Sequence, residues 1–437
     1  MFGFLQSEEK KMRAHAANWL EVAERVFHFR RDLLSDGERQ LLQGATGELK
    51  RLLKEKADAG KLKLSIETLE GVLGRTGGRQ YPANSIVENV EFFLVAAIVI
   101  LGLRAYFIQP FKIPTNSMWP TYYGMTHEMI KTGEEPNLLV RAGRFLAFGA
   151  AREEAVAPAD GEVYMAVTER GAPVSAVVSA RSFFVFPTQK LEYYFSVGNG
   201  SEVAKVNVPL DFTFSDVLES AFGDFAPGRY VPLASQYLQE GGVRKRSSYT
   251  VTQDGERREY AVYWLSVGKK VKKGEKIISF DILTGDLLFV DRFTYNFFPP
   301  KVGQGFVFKT DNIHSQYMEK PPGTQIKQYY IKRLVGAPGD VLEVKSSVLL
   351  SHGKPVTGAA AFDKNARHEG LYRGYENRGL LEVGERLTIP ANHYFAMGDN
   401  SYRSADSRYW GFVPEKDVVG KPLFIYYPLT KRWGPAQ

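Results

Sequence analysis

The spacing of hydrophobic and polar positions changes three times along the chain. From Ser7 to about Leu73 the sequence is rich in Leu, Glu, Lys and Arg and has no proline. Trp19, Val22, Val26 and Phe29 fall three or four apart there, the spacing of one helix face. Asp36-Gly37 and Ala59-Gly60 read as breaks between helices. The pattern predicts a helical hairpin or small amphipathic bundle over residues 1–80, with a docking or membrane-surface module as the functional alternative. Gly77-Gly78 and Pro82 mark a linker. Periodicity then gives way to an unbroken apolar run, Phe92 to Leu103, within the segment 87–108. That segment reaches the length of about 20 residues needed to cross a bilayer only by including Arg104, which can snorkel. A buried helix competes with it on hydropathy alone.

From Tyr122 to about Asp281 the pattern shortens to alternating runs broken by glycine, among them Val174 to Val178, Tyr193 to Val197 and Tyr260 to Leu265. Alternation of that length predicts strands. Ala157 to Val163 and Val267 to Glu275 look like the halves of a biotinyl/lipoyl-type β-sandwich, without the modifiable lysine in its turn. Strands continue after Ile282: Asp286 to Val290, Gly305 to Phe308, Gln325 to Val335 and the closing Phe412 to Tyr427. In the third of these, Gln328, Tyr330, Lys332 and Leu334 share a face. Gly358 to Gly379 reads as a Gly- and Arg-rich loop, and Gly398 to Gly411 as a polar, Ser-dense one.

Composition removes whole classes of chemistry. The 437 residues contain no cysteine, so disulfides, thiolate metal sites and a Cys nucleophile are excluded. Seven scattered histidines form no H-E-x-x-H pattern, which leaves zinc hydrolysis without support. A net charge of +7 suits an anionic membrane surface as well as nucleic acid, but no dense basic tract or RNA-binding aromatic signature argues for the latter. Met1 to Lys11 lacks the apolar core of a cleavable signal peptide.

What remains is hydroxyl and amine chemistry. Phe111-Lys-Ile-Pro-Thr-Asn-Ser-Met-Trp-Pro-Thr121 holds Ser117 between two prolines, on backbone too stiff to be helical. Most serines in such turns are structural. Lys332 lies between apolar neighbours on a strand, where a lysine usually snorkels or pairs but, if buried, loses its proton and becomes a base. Ser266-Val-Gly-Lys269 and Lys131-Thr-Gly133 match S-x-x-K and K-T-G, but in the reverse of the penicillin-binding order and with no S-D-N between them.

Four pieces, in order, resemble the boxes of bacterial type I signal peptidases (leader peptidases). They are the Phe111 to Thr121 stretch, Gly285 to Tyr295, Tyr330 to Asp340 and Gly398 to Gly411. The resemblance covers roughly 87–122 and 282–427. It implies a mainly β catalytic domain (109–122 and 282–437) behind an N-terminal helical region (1–80) and one transmembrane helix (87–108), with an inserted β-rich domain at 123–281. Ser117 is then the nucleophile, and neutral Lys332 the general base of a Ser–Lys dyad. By the same likeness Ser404 orients the amine, and the Ser117 backbone N–H with the Thr115 hydroxyl forms the oxyanion hole. Asp406 and Arg408 hold the loop as an ion pair. Phe111, Ile113, Met118, Tyr122, Tyr330 and Ile331 are expected to line pockets for small side chains, with the Tyr122 ring narrowing the one next to the cut. Ser401-Tyr-Arg403 departs from the family's usual Arg-Asp-Asn.

The implied activity is removal of signal peptides at A-x-A-like sites, without metal or cofactor. The expected partners are signal peptides of secreted preproteins, membrane lipid and the protein-export machinery, and no nucleic acid. The expected location is the bacterial cytoplasmic (inner) membrane, crossed once, with the catalytic domain on the extracytoplasmic side. Two alternatives stand beside it: a maturation peptidase dedicated to one secretion system, and a non-catalytic envelope scaffold. A self-cleaving repressor shares Ser–Lys chemistry but lacks a helix-turn-helix pattern here.

Overall fold

The computed structural model describes residues 8–82, 85–131, 133–168, 171–182, 186–199, 202–223, 243–253, 256–318 and 328–436. Residues 1–102 and 103–437 form two compact units.

In the first unit, α1 (Glu8–Arg30), α2 (Asp36–Lys54) and α3 (Ala59–Thr76) pack as a three-helix bundle. Its core is the stripe Ala16, Ala23 and Val26 set against Leu42, Leu49, Leu62, Leu69 and Leu73. Phe29, assigned to this face by spacing, is 66% exposed instead, because Ala23 and Val26 set the stripe and Phe29 falls on its solvent edge. The predicted breaks move by one residue. Ser35 caps α2 in a reciprocal capping box with Glu38, and Asp58 caps α3, so Asp36-Gly37 and Ala59-Gly60 are the first helical residues.

The fourth helix, α4 (Ser85–Tyr106), is apolar all round rather than along one stripe. Such a helix belongs either in a large core or in lipid. Here its apolar side chains are exposed, and it is the one helix among the described residues long and apolar enough to cross a membrane. It ends two residues before the predicted 108, because Ile108 already pairs with Asp291 in the first strand.

The second unit is built mainly of strands. Its central sheet contains β1 (Ile108–Lys112), β11 (Leu287–Asp291), β12 (Gly305–Lys309), β13 (Tyr329–Gly336), β18 (His393–Met397), β19 (Val413–Pro414) and β20 (Val418–Tyr427). They run in the order β1-β11-β20-β12-β13-β18-β19, and every pairing is antiparallel. The expected strand start at Gln325 lies partly outside the described residues. A small sheet of β14 (Val341–Lys345), β15 (Val348–Ser351), β16 (Lys354–Pro355) and β17 (Leu387–Thr388) follows. The stretch 358–379, read as loop, also contains a short helix, Ala360–Ala366, whose Ala361, Phe362 and Asn365 are buried.

Residues 123–281 carry two more sheets. One is β2 (Thr126–Met129), β10 (Lys276–Leu283) and β3 (Ala151–Val156). The other contains β4 (Gly161–Val167), β5 (Ser175–Ser182), β6 (Phe186–Val197), β7 (Val203–Pro209), β8 (Val243–Gln253) and β9 (Glu256–Val271). The two sandwich-like pieces meet: Gly161 and Glu162 pair with Val271 and Lys270, and Ala157 exchanges backbone bonds with Glu275 and Gly274. Two helices join them, α5 (Leu138–Phe148) and α6 (Phe214–Phe222). One core unites both sheets and α6, through Met165, Phe195, Val208, Phe214, Leu218 and Phe280. That core runs from Met125 to Ile282, one residue past the expected C-terminal limit of the insertion at 281.

Asp286 ties this region to the central sheet. It is fully buried, accepts from the Tyr123 N–H at 2.8 Å, and binds Arg432 through both carboxylate oxygens, at 2.8 Å and 3.1 Å. The Arg432 guanidinium in turn lies 3.6 Å from the centre of the Tyr123 ring. Asp286→Ala leaves a cation and an N–H without their partner, so we expect a loss of about 2–4 kcal/mol in urea denaturation of the full chain. An unchanged midpoint would refute that assignment.

Candidate active site

Ser117 stands in a single 3-10 turn, Asn116–Met118, reached from β1 through Pro114. The turn is held from several sides. The Asn116 side chain donates to the Met125 carbonyl (3.0 Å) and accepts from the Gly124 N–H (2.9 Å), which folds residues 116–125 back on themselves. Asn400 donates its backbone N–H to the Ser117 carbonyl (3.1 Å) and its side-chain amide to the Asn116 carbonyl (3.0 Å).

Lys332 comes from β13, opposite Phe306 of β12. Its Nζ lies 2.5 Å from Ser117 Oγ, and both side chains are buried. Burial pushes the amine down from the ordinary lysine value to about 8. The Asp406 and Asp399 carboxylates oppose that shift and the Arg408 cation adds to it. The neutral amine, which can take a proton from a hydroxyl, is therefore accessible near neutral pH.

Alternation along β13 turns the next side chain the other way. Arg333 is buried too, and forks onto Asp399 with bonds of 2.7 and 2.6 Å, while its third nitrogen donates to the Gly303 carbonyl. Asp399 also accepts from the Thr121 hydroxyl at 2.6 Å. One carboxylate thus links the nucleophile turn, the lysine strand and the Gly-Asp-Asn loop. The sequence reading did not select Arg333 or Asp399. The available signal was a second charge directly after Lys332 on a strand, which must face the opposite side and needs a partner if buried.

Asp406 and Arg408, both fully buried, make a bidentate pair of 2.8 and 2.9 Å. Asp406 also accepts from the Gly398 N–H, and Arg408 donates to the carbonyls of Glu376 and Ser401. Gly398 has room for no side chain: a Cβ would sit 2.3 Å from both the Ser117 carbonyl oxygen and Ser404 Oγ. Ser404 departs from its expected part. Its hydroxyl is buried but makes no hydrogen bond, to the amine or to any described neighbour, because it lies against Gly398. Thr115 is exposed beside Ser117.

A groove of about 670 Å³ opens in front of the dyad. Phe111, Ile113, Tyr330 and Ile331 line it together with Thr115. Met118 and Tyr122 do not. Both are buried in the core with Leu288 and Val290. The Tyr122 ring packs where Gly305 leaves space, so it does not narrow a pocket next to the cut. The two decoy motifs come apart: Ser266 is bonded to Glu162, and Lys269 donates to the Ile277 carbonyl. Lys131-Thr-Gly133 lies partly outside the described residues.

Comparison with known proteins finds relatives over about a third of the chain. The profile of the family "Signal peptidase, peptidase S26" matches residues 266–427, which include Lys332 and the Gly398–Gly411 loop but not Ser117. A signal peptidase I from Bacillus caldolyticus is 31% identical over 149 residues, 34% of this chain and 73% of that protein. The chain belongs to the signal peptidase I family. A probable signal peptidase I-1 from Synechocystis is 30% identical over 154 residues (34% of this chain, 66% of that one). A signal peptidase I from Pseudomonas aeruginosa is 30% identical over 166 residues (32% and 58%). The chain thus spans about three-fifths to two-thirds of the length of these last two relatives.

The depressed amine has a consequence for stability with a definite sign. An unfolded lysine titrates near 10.4 and the folded one at about 8, so the penalty for burying the charge is fully present below pH 8 and fades as pH rises toward 10.4. Lys332→Met should therefore be more stable than the parent at pH 7 by about 2–3 kcal/mol, the gain shrinking toward zero near pH 10.5. Urea denaturation at both pH values checks this, and equal stability at pH 7 would mean the amine is not desolvated.

Proposed function

We propose that the chain is a membrane-anchored serine endopeptidase that removes signal peptides from exported preproteins. The 2.5 Å contact between Ser117 Oγ and the buried Lys332 amine carries this reading. Neutral Lys332 takes the Ser117 proton as Oγ attacks the scissile carbonyl carbon, giving a tetrahedral oxyanion. The Ser117 N–H and the Thr115 hydroxyl stabilise that charge. Collapse breaks the C–N bond, and the Lys332 ammonium returns its proton to the leaving amine. Water, deprotonated by the same amine, then hydrolyses the ester on Ser117 and frees the signal peptide. Ser404, whose hydroxyl is unpaired in the resting site, has no part in this scheme. The Asp406–Arg408 pair holds the loop and does no chemistry.

Phe111, Ile113, Tyr330 and Ile331 form the apolar surface that receives small side chains before an A-x-A-like cut. Signal peptides and membrane lipid are the partners of this reading, with the export machinery supplying the substrate. The apolar α4 supports a membrane crossing, and this reading puts the catalytic unit on the extracytoplasmic side of a bacterial cytoplasmic membrane.

The test is cleavage of a model preprotein in detergent by the parent chain, Ser117→Ala and Lys332→Ala, with product termini read by mass spectrometry. We expect cutting after A-x-A, with kcat/KM reduced by at least about 10³-fold in both variants. Below pH 8 the parent's kcat/KM should rise roughly tenfold per pH unit and level off above it, as Lys332 loses its proton. Full activity in Ser117→Ala would overturn the assignment. A folded but inactive parent would favour the scaffold reading.

A further inference from the structure

The insertion reaches the catalytic turn itself. The loop between β7 and α6 places Asp211 on the wall of the Ser117 groove. The next residues, Phe212 and Thr213, together with Asp216 of α6, line a second cavity of about 300 Å³. Asn116, the neighbour of Ser117, lines that cavity, and Arg403 lines both. The arm is rigidly mounted: Phe212 and Phe214 are buried against Phe280, with ring centres 6.3 and 6.0 Å apart. Its free side is clasped twice. Arg403 binds Asp216 at 2.7 Å, and the Ser220 hydroxyl lies 2.8 Å from the His127 ring on β2. Arg403 sits in Ser401-Tyr-Arg403, where this chain departs from the family pattern. The two departures meet at one ion pair.

We propose that the α6 arm is part of the substrate site and forms a subsite for the first residues on the mature side of the cut, one that takes an apolar or aromatic side chain. This rests on the peptidase reading above. If the residues before the cut occupy the Phe111–Ile113 groove, an extended peptide passing Ser117 continues toward Asn116. At about 3.3 Å per residue, its next one or two side chains reach the second cavity. Trp119, Met125, Phe212 and Tyr402 give the cavity its apolar walls, and Asp216, Arg373 and Arg403 its charge. Its volume is at the lower limit of ligand pockets, enough for one large side chain. Arg403 acts by holding Asp216, and so the arm, in place; it is a positioning residue.

The experiment uses the full chain in detergent and preproteins with one fixed signal peptide, carrying Gly, Ala, Phe, Glu or Lys at the first or second mature position. The readout is the ratio of kcat/KM in competition. The parent chain should favour Phe over Gly and Glu by about tenfold or more at one of the two positions. Arg403→Asp and Asp216→Arg should each lower that ratio about fivefold, and the charge-swapped double variant should restore it. A parent that cleaves but treats all mature residues within about twofold would overturn the subsite, as would a double variant that does not recover the ratio. A parent that cleaves none of the preproteins would overturn the peptidase reading and the subsite with it.

Discussion

The site depends on burying Arg333 against Asp399. A guanidinium and a carboxylate taken out of water cost several kcal/mol each unless every polar atom finds a partner. Here Arg333 meets two carboxylate oxygens and the Gly303 carbonyl, and Asp399 also accepts from Thr121. Because the pair is tolerable only when complete, Thr121, Arg333 and Asp399 must come together as one unit. Lys332 directly precedes Arg333 and Ser117 lies four residues before Thr121, so the requirement to satisfy one ion pair brings the serine hydroxyl and the lysine amine into register.

The same strand exposes the logic of the lysine. Alternation sends Arg333 to a matched anion and Lys332 to a site whose closest polar partner is a neutral hydroxyl. A fixed cation and a titratable amine thus stand back to back, and only the unpaired one can release its proton near neutral pH. The fully paired Asp406–Arg408 nearby brings charge of both signs, so desolvation decides the direction of the shift.

The insertion is better viewed as part of the catalytic unit than as a separate ornament. Its core runs from Met125 to Ile282. Asp281 is held by Arg144 and Arg152, while Asp286 and Arg432 tie the return of the chain to the turn after Ser117. The insertion meets the cleft through Asp211, which stands on the wall of the Ser117 groove.

Local sequence determined the elements and the candidate reactive groups. The proline-braced serine turn, a lysine on an apolar strand, the alternating runs and the one helix apolar on every side were all legible from spacing and side-chain chemistry. The Asp406–Arg408 pair was implied by the family resemblance. The tertiary structure decided what spacing cannot express: which face of a strand is buried when both are, and which side chains reach across the chain. Tyr122 went to the core rather than the groove because Gly305 left room there, a fact of packing between segments far apart in sequence, and Met118 is buried in the same cluster. The Arg333–Asp399 pair and the clasp between Arg403 and Asp216 join residues 66 and 187 positions apart, while the Ser404 hydroxyl joins nothing among the described residues. Pattern along a chain reports local preference, whereas partners at such distances are chosen by the burial and close packing of the finished fold.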